Sequence, residues 1–212
     1  MATVKTKQNT AKAPSIHISK GNTKTGAIPS FSLPSGVTCS KSACETCFKQ
    51  GCYARKIERL RPSVHATYMD NLFYAKNHID LLEGHLNAYF SMLNAPRLFR
   101  IHVAGDFFSH AYFKMWLRVI KAHPQTKFMA FTKRDAIIQP YLDVLPENFA
   151  LVWSAWPGVA IPKSIVGKIP VAWMQDGTEN RIPETAVSCP GHCENCAKCW
   201  AADGKDVVLN KH

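Results

Sequence analysis

No aspartate or glutamate precedes Glu45, no cysteine stands between residues 53 and 188, and nowhere are there the ~20 consecutive apolar residues of a bilayer-spanning helix. The last absence argues against a helical membrane protein. The opening Met-Ala-Thr-Val-Lys-Thr-Lys also lacks the apolar stretch of a secretory signal. A reducing cytoplasm is therefore expected, where clustered thiols favour metal over disulfides. Also missing are a Ser/His/Asp hydrolase signature and a glycine-rich loop able to cradle phosphates, so neither chemistry is expected.

The shortage of early acids leaves a lopsided charge. Lysine and arginine total 26 against 15 acids, a formal charge of +11 over 212 residues, and residues 1–44 carry lysines with no acid at all. Lys49, Arg55, Lys56, Arg59 and Arg61 extend the positive stretch. Such a surface attracts a nucleic acid or an acidic protein partner. It could equally offset negative charge on nearby metal-bound thiolates, and both readings stand.

The cysteines form two tight groups near opposite ends. Cys39, Cys44, Cys47 and Cys52 are spaced Cys-x4-Cys-x2-Cys-x4-Cys; Cys189, Cys193, Cys196 and Cys199 end in Cys-x2-Cys-x2-Cys. Two sets of four thiols supply the ligands of two metal centres. The terminal run has the local spacing of iron–sulfur ligation, with one or two clusters, of the [4Fe-4S] type, expected overall. Zinc is the structural alternative, since four thiolates close a tetrahedral site. His192 could replace one thiol in either case.

Residues 1–12 are polar and aperiodic, a disordered basic arm. Residues 13–62 read as short strands, over Ser15–Ser19 and Ser30–Leu33, leading into the first cysteine loop. An α/β core follows over 63–180, then a cysteine-bearing tail over 181–212, all in one integrated domain. Helical periodicity spans Ser63–Leu93, with Gly84 as the expected soft point. Beyond Pro96 the period changes: strands are expected over 98–104, 127–131, 150–154 and 169–173, with helices over 111–122 and 135–145 between the first three. Alternating strands and helices imply a parallel sheet, open or curled into a partial (β/α) barrel.

Parallel sheets carry their sites beyond the carboxyl ends of the strands. The candidate ligand groups are therefore Gly105, Asp106 and Ser109; Thr132, Lys133 and Arg134; Trp156; and Gln175. Asp106 and Ser109 could instead cap the next helix, and Lys133 and Arg134 could merely solvate a helix start. Trp156, before Pro157-Gly158, is the tryptophan best placed to stack on a base.

Phe31-Ser-Leu-Pro-Ser-Gly36, Gly51-Cys-Tyr-Ala-Arg-Lys56, Arg100-Ile-His-Val-Ala-Gly-Asp-Phe-Phe-Ser109, Phe131-Thr-Lys133, Ser154-Ala-Trp-Pro-Gly158 and the terminal cysteine run before Trp200 together resemble the gene product 88 family of phages and prophages, over about residues 28–201. The resemblance implies an infected or lysogenic bacterial host. More distantly, cysteines after an early strand, Gly-Asp after the next and Thr-Lys-Arg after the third are similar to radical S-adenosylmethionine proteins. That likeness implies a [4Fe-4S] cluster with S-adenosylmethionine on its open iron, an electron donor as partner, and Gly105-Asp106 receiving the cosubstrate's amino group. Two departures stand out: the first three cysteines are spaced x4, x2 where that superfamily has x3, x2, and Cys52 adds a fourth thiol. A non-catalytic metal-stapled binder of nucleic acid or of a host protein is the rival expectation.

Overall fold

The computed structural model describes residues 13–201 and 204–210; the expected arm over 1–12 lies outside the described residues. Strands β1 (Ser30–Phe31), β2 (Leu98–Ile101), β3 (Lys127–Thr132), β4 (Phe149–Ala155), β5 (Val171–Gln175), β6 (Val187–Ser188) and β7 (Val207–Asn210) form one seven-stranded sheet. Every pairing is parallel, in the order β1-β2-β3-β4-β5-β7-β6. The α/β class with a parallel sheet is as expected. The sheet is open, with β1 and β6 as edges; the sequential run β1 to β5 is common to open sheets and barrel segments, and this order does not establish the curl of a partial barrel.

Period-two alternation sorts the strand residues onto two faces. On the first face Phe99, Ile101, Phe128, Ala130, Phe149, Leu151 and Trp153 join the main core with Leu82, Leu86 and Phe90 of α5 (Ile79–Phe90) and Phe113, Trp116 and Ile120 of α6 (His110–Ala122). Each Leu, Ile or Phe among them, fully buried, contributes about 1.5–3 kcal/mol. On the second face Leu98, Met129, Phe131 and Ala150 pack against Ile28, Cys193, Cys199 and Trp200. The sheet is thus covered by helices on one side and by the terminal cysteine segment on the other.

Several expected boundaries move. The long helix divides into α4 (Pro62–Asn77) and α5, breaking at His78 rather than Gly84. His78 takes φ −143° and ψ 53°, and the Asn77 amide donates to Phe73 O within its own helix. A Cβ added at Gly84 would meet nothing, so the glycine sits within α5 without a packing role.

Ser15–Ser19 forms only an isolated bridge between Ser19 and Ser30. The backbone of His17 is engaged instead by Asn71, whose side chain accepts from His17 N at 2.8 Å and donates to His17 O at 3.0 Å. The helix expected over 135–145 is a short α-turn, α7 (Asp135–Ile138), continued as a 3-10 turn over Gln139–Val144 that opens at Pro140. A proline ring and missing N–H disrupt an α ladder there. The last expected strand lies two residues later, as β5.

Two candidate metal centres

The first cysteine-rich segment is as expected, and it includes short helices, α1 (Lys41–Glu45), α2 (Cys47–Gly51) and α3 (Tyr53–Leu60), with Cys39 and Cys52 outside them. Ser40 caps α1 by accepting from Ala43 N at 3.1 Å. The chain then re-aims at Thr46 and Cys52, which stand between helices and present their neighbouring thiols from different turns.

The first group sits at the carboxyl ends of β2 and β3. Thr38 accepts from Asp106 N at 3.0 Å, and Arg134 donates to Phe107 O and Phe108 O while one of its Nη atoms lies 3.5 Å from Cys39 O. Gly105 is required by this approach. Its φ is +79°, and a Cβ would stand 2.7 Å from Leu33 O and from Thr38 Oγ1.

Asp106 ties the strand ends together. Buried, it accepts from Phe107 N at 2.8 Å, Thr132 Oγ1 at 2.7 Å and Lys133 N at 2.8 Å. Desolvation pushes its carboxyl above the usual range, and these hydrogen bonds pull the other way. Lys133 extends to donate to Ser154 Oγ at 2.7 Å. Trp156 is buried and its Nε1 donates to Gln50 Oε1 on α2 at 2.9 Å, joining the β4 loop to the first cysteine group.

Gly105, Asp106, Thr132, Lys133, Arg134 and Trp156 are therefore gathered around the first quartet. Ser109 and Gln175 have local roles: Ser109 caps α6 by accepting from Tyr112 N, and Gln175 bonds Gly177 N and Glu179 O within its own turn.

The terminal quartet covers the sheet's second face. Its short helix α8 (Cys193–Cys196) docks on residues 22–27, with Cys193 N donating to Lys24 O and Glu194 accepting from Ala27 N. Trp200 is 4% exposed and its Nε1 donates to Phe99 O at 3.0 Å.

All eight cysteines are free thiols. Among the described residues, no three His, Cys, Asp or Glu side chains converge closely enough to hold a metal ion. Within each group the thiols nonetheless share an electrostatic neighbourhood, Cys39 with Cys44 and Cys47, Cys47 with Cys52, and Cys199 with Cys189, Cys193 and Cys196. Burial pushes Cys39 up to about 12 and Cys199 up to about 11. Cys47 is also raised by burial, opposed by Lys133, and Cys193 by burial, opposed by Arg100. Such thiols stay protonated unless a bound cation displaces the proton.

Two residues that sequence reasoning passed over link the groups. The Tyr53 ring is 48% exposed, yet its hydroxyl is turned inward to donate to Val103 O, in the field of Cys52, Cys39 and Cys193. Arg100 is 6% exposed, with its guanidinium 4.9 Å from the Phe131 ring centroid and its Nε buried without a hydrogen-bond partner. The available signal was one arginine in an otherwise apolar Leu-Phe-Arg-Ile strand. Soft donors in fours, with an arginine of unpaired Nε beside one set, are the donor chemistry of an anionic metal–thiolate complex, which would have to draw the thiols of each group closer together.

The sequence profile described as Gene product 88 matches residues 2–202. The chain belongs to the gene product 88 family. It is 32% identical to the Gene 88 protein of Mycobacterium phage L5 over 190 residues, covering 82% of this chain and 79% of that protein. It is also 32% identical to the Gene 88 protein of Mycobacterium phage D29 over 207 residues, covering 90% and 85%. No solved structure matches. Among the described residues, no helix of this gene product 88 protein is long and apolar enough to cross a membrane.

Proposed function

We propose that this gene product 88 protein is an iron–sulfur protein of phage or prophage origin, working in the cytoplasm of the bacterial host, whose first quartet is the reactive centre. The observation that carries this reading is the meeting of Cys39 and Cys47 with Asp106, Lys133 and Arg134 at the carboxyl ends of β2 and β3, where parallel sheets hold their sites. A [4Fe-4S] centre on Cys39, Cys44 and Cys47 would supply one-electron reduction of S-adenosylmethionine.

The chain's own part is positional. Asp106 and Arg134 bind loops from three segments into one surface, Lys133 offers a cation beside Cys47, and Trp156 closes the side toward β4. Cys52, next to Cys47, is the fourth donor when no cosubstrate is present. The terminal quartet, spread over the opposite face, would serve as an auxiliary centre, and the electron spent at the first quartet would come from an external donor. Zinc in either quartet is the competing assignment.

A second reading rests on a separate observation. Lys41, Lys49, Arg55, Lys56, Arg59 and Arg61 are all exposed, on or just after the short helices α1, α2 and α3 that surround the first quartet. They form a cationic rim suited to a nucleic acid or an acidic host protein, either as the macromolecule modified or as the partner of a non-catalytic, metal-stapled binder.

Anaerobic purification and reconstitution test both readings. The enzymatic reading expects a brown protein with iron and sulfide that, once reduced, releases 5′-deoxyadenosine from S-adenosylmethionine; a loaded and reduced protein that leaves the cosubstrate intact rules it out. A colourless zinc protein with steeply salt-dependent polyanion binding establishes the stapled binder.

A further inference from the structure

The buried guanidinium of Arg100 has no counter-ion among the described residues. Its strand position, second in from the β1 edge, turns it to the face covered by the terminal cysteine segment, while Phe99 and Ile101 on either side enter the helix-covered core. Its Nε has no hydrogen-bond partner, no carboxylate among the described residues forms an ion pair with it, and its contact is the face of Phe131. A buried Nε–H that finds neither an acceptor nor an anion is unfavourable. A ring face recovers only a small part of that cost.

The groups in its field are the Cys193 and Cys199 thiols and the inward-turned Tyr53 hydroxyl, for each of which Arg100 favours the anionic form. Four thiolates around Zn²⁺, or around a [4Fe-4S] core in its usual resting state, carry a net double negative charge. The buried cation and such a complex satisfy one another.

We propose that Arg100 is the built-in counter-cation of the terminal centre, so that this face of the sheet is made to receive an anionic tetrathiolate complex on Cys189, Cys193, Cys196 and Cys199. This rests on the reading of the quartets as metal sites and adds a residue that touches no metal. Arg100 acts through charge, and it also favours the more reduced form if the centre is iron–sulfur. The same charge also favours the Tyr53 anion, and Tyr53 lies in the field of Cys39, Cys52 and Cys193.

Cobalt(II) serves as the probe, since thiolate-to-cobalt absorption reports tetrathiolate coordination independently of any activity. Full-length reduced protein is titrated with cobalt(II) against a competing chelator, and alkylation with mass spectrometry identifies the cysteines each equivalent protects. Wild-type protein is expected to take two equivalents. Arg100→Gln is expected to weaken the equivalent that protects the terminal quartet by about 10–100-fold, the range typical of residues just outside a metal's ligands, and to leave the other within a few-fold. Arg100→Lys keeps the charge and is expected to restore most of the loss.

Wild-type affinity in Arg100→Gln would overturn the proposal, and so would equal losses in the Gln and Lys variants, which would indicate packing against Phe131 rather than charge. Should Arg100→Gln fail to fold, near-wild-type cobalt binding by Arg100→Lys supports the proposal and weakened binding overturns it. A wild-type protein that binds no cobalt overturns the metal reading itself, whereas a loaded wild type with unaffected variants overturns only the role of Arg100.

Discussion

Mild acid should destabilise this protein through one histidine. His102 follows β2 directly at φ +63°, a left-handed conformation unusual for a side chain larger than glycine, and its backbone N–H donates to Phe31 O at 2.8 Å. The ring is 3% exposed, edge-on to Phe107 and stacked on Tyr112, with Nε2 2.9 Å from the Tyr112 hydroxyl and Nδ1 lacking a partner. Burial, reinforced by the Arg100 charge, pushes its pKa from 6.5 down to about 3. The unfolded chain therefore takes up a proton below 6.5 that the native ring refuses until about 3.

Stability linked to His102 is complete above pH 6.5 and falls across that window, by about 1.4 kcal/mol per pH unit once well below 6.5. Between pH 7.5 and 5.0 the loss amounts to about 2 kcal/mol, and any native value below about 4 gives nearly the same figure. The assay is urea unfolding at both pH values for wild type and His102→Gln, whose amide can still reach Tyr112. The other histidines contribute to both proteins and cancel in the difference. Wild type should lose about 2 kcal/mol more than the variant on acidification; equal losses would refute a neutral, buried imidazole.

Gly105→Ala should lower stability by at least about 2 kcal/mol, since it combines a positive φ with a clash against Leu33 and Thr38, and should impair metal retention by the first quartet; an unchanged melting profile would count against the close approach described there. Trp200→Ala should cost about 3–5 kcal/mol through the cavity left over Met129 and Ala150. It should also loosen metal at the terminal quartet, read by chelator-induced release, while retention equal to wild type would show that the segment docks without its indole.

The three central strands were legible because each is a short apolar run bounded by turn residues, and the rule for parallel sheets then brought Asp106, Lys133, Arg134 and Trp156 to one edge. What escaped has identifiable causes. Helices α1, α2 and α3 are interrupted at Thr46 and Cys52, so none is long enough to show periodicity beside four cysteines. Strands β6 and β7 lie beyond a loop and read as tail. His78 carries no glycine or proline signal, whereas Gly84 does, although the first breaks the helix and the second does not. Arg100 and His102 depend on what faces them across the sheet, and tertiary partners of this kind leave no local pattern.

Strand β7 slots between β5 and β6, and Val208 O within it accepts the N–H of Cys189 at 2.9 Å. Val187–Ser188 thus has nothing to pair with until the segment some twenty residues downstream has been made and inserted. The order of assembly follows: the first quartet and its surrounding strand ends can mature early, whereas the other quartet gains its leading thiol only after the sheet is finished. A chain stopped short of residue 207 would leave Val187–Ser188 unpaired and β5 with an open edge, a species prone to self-association.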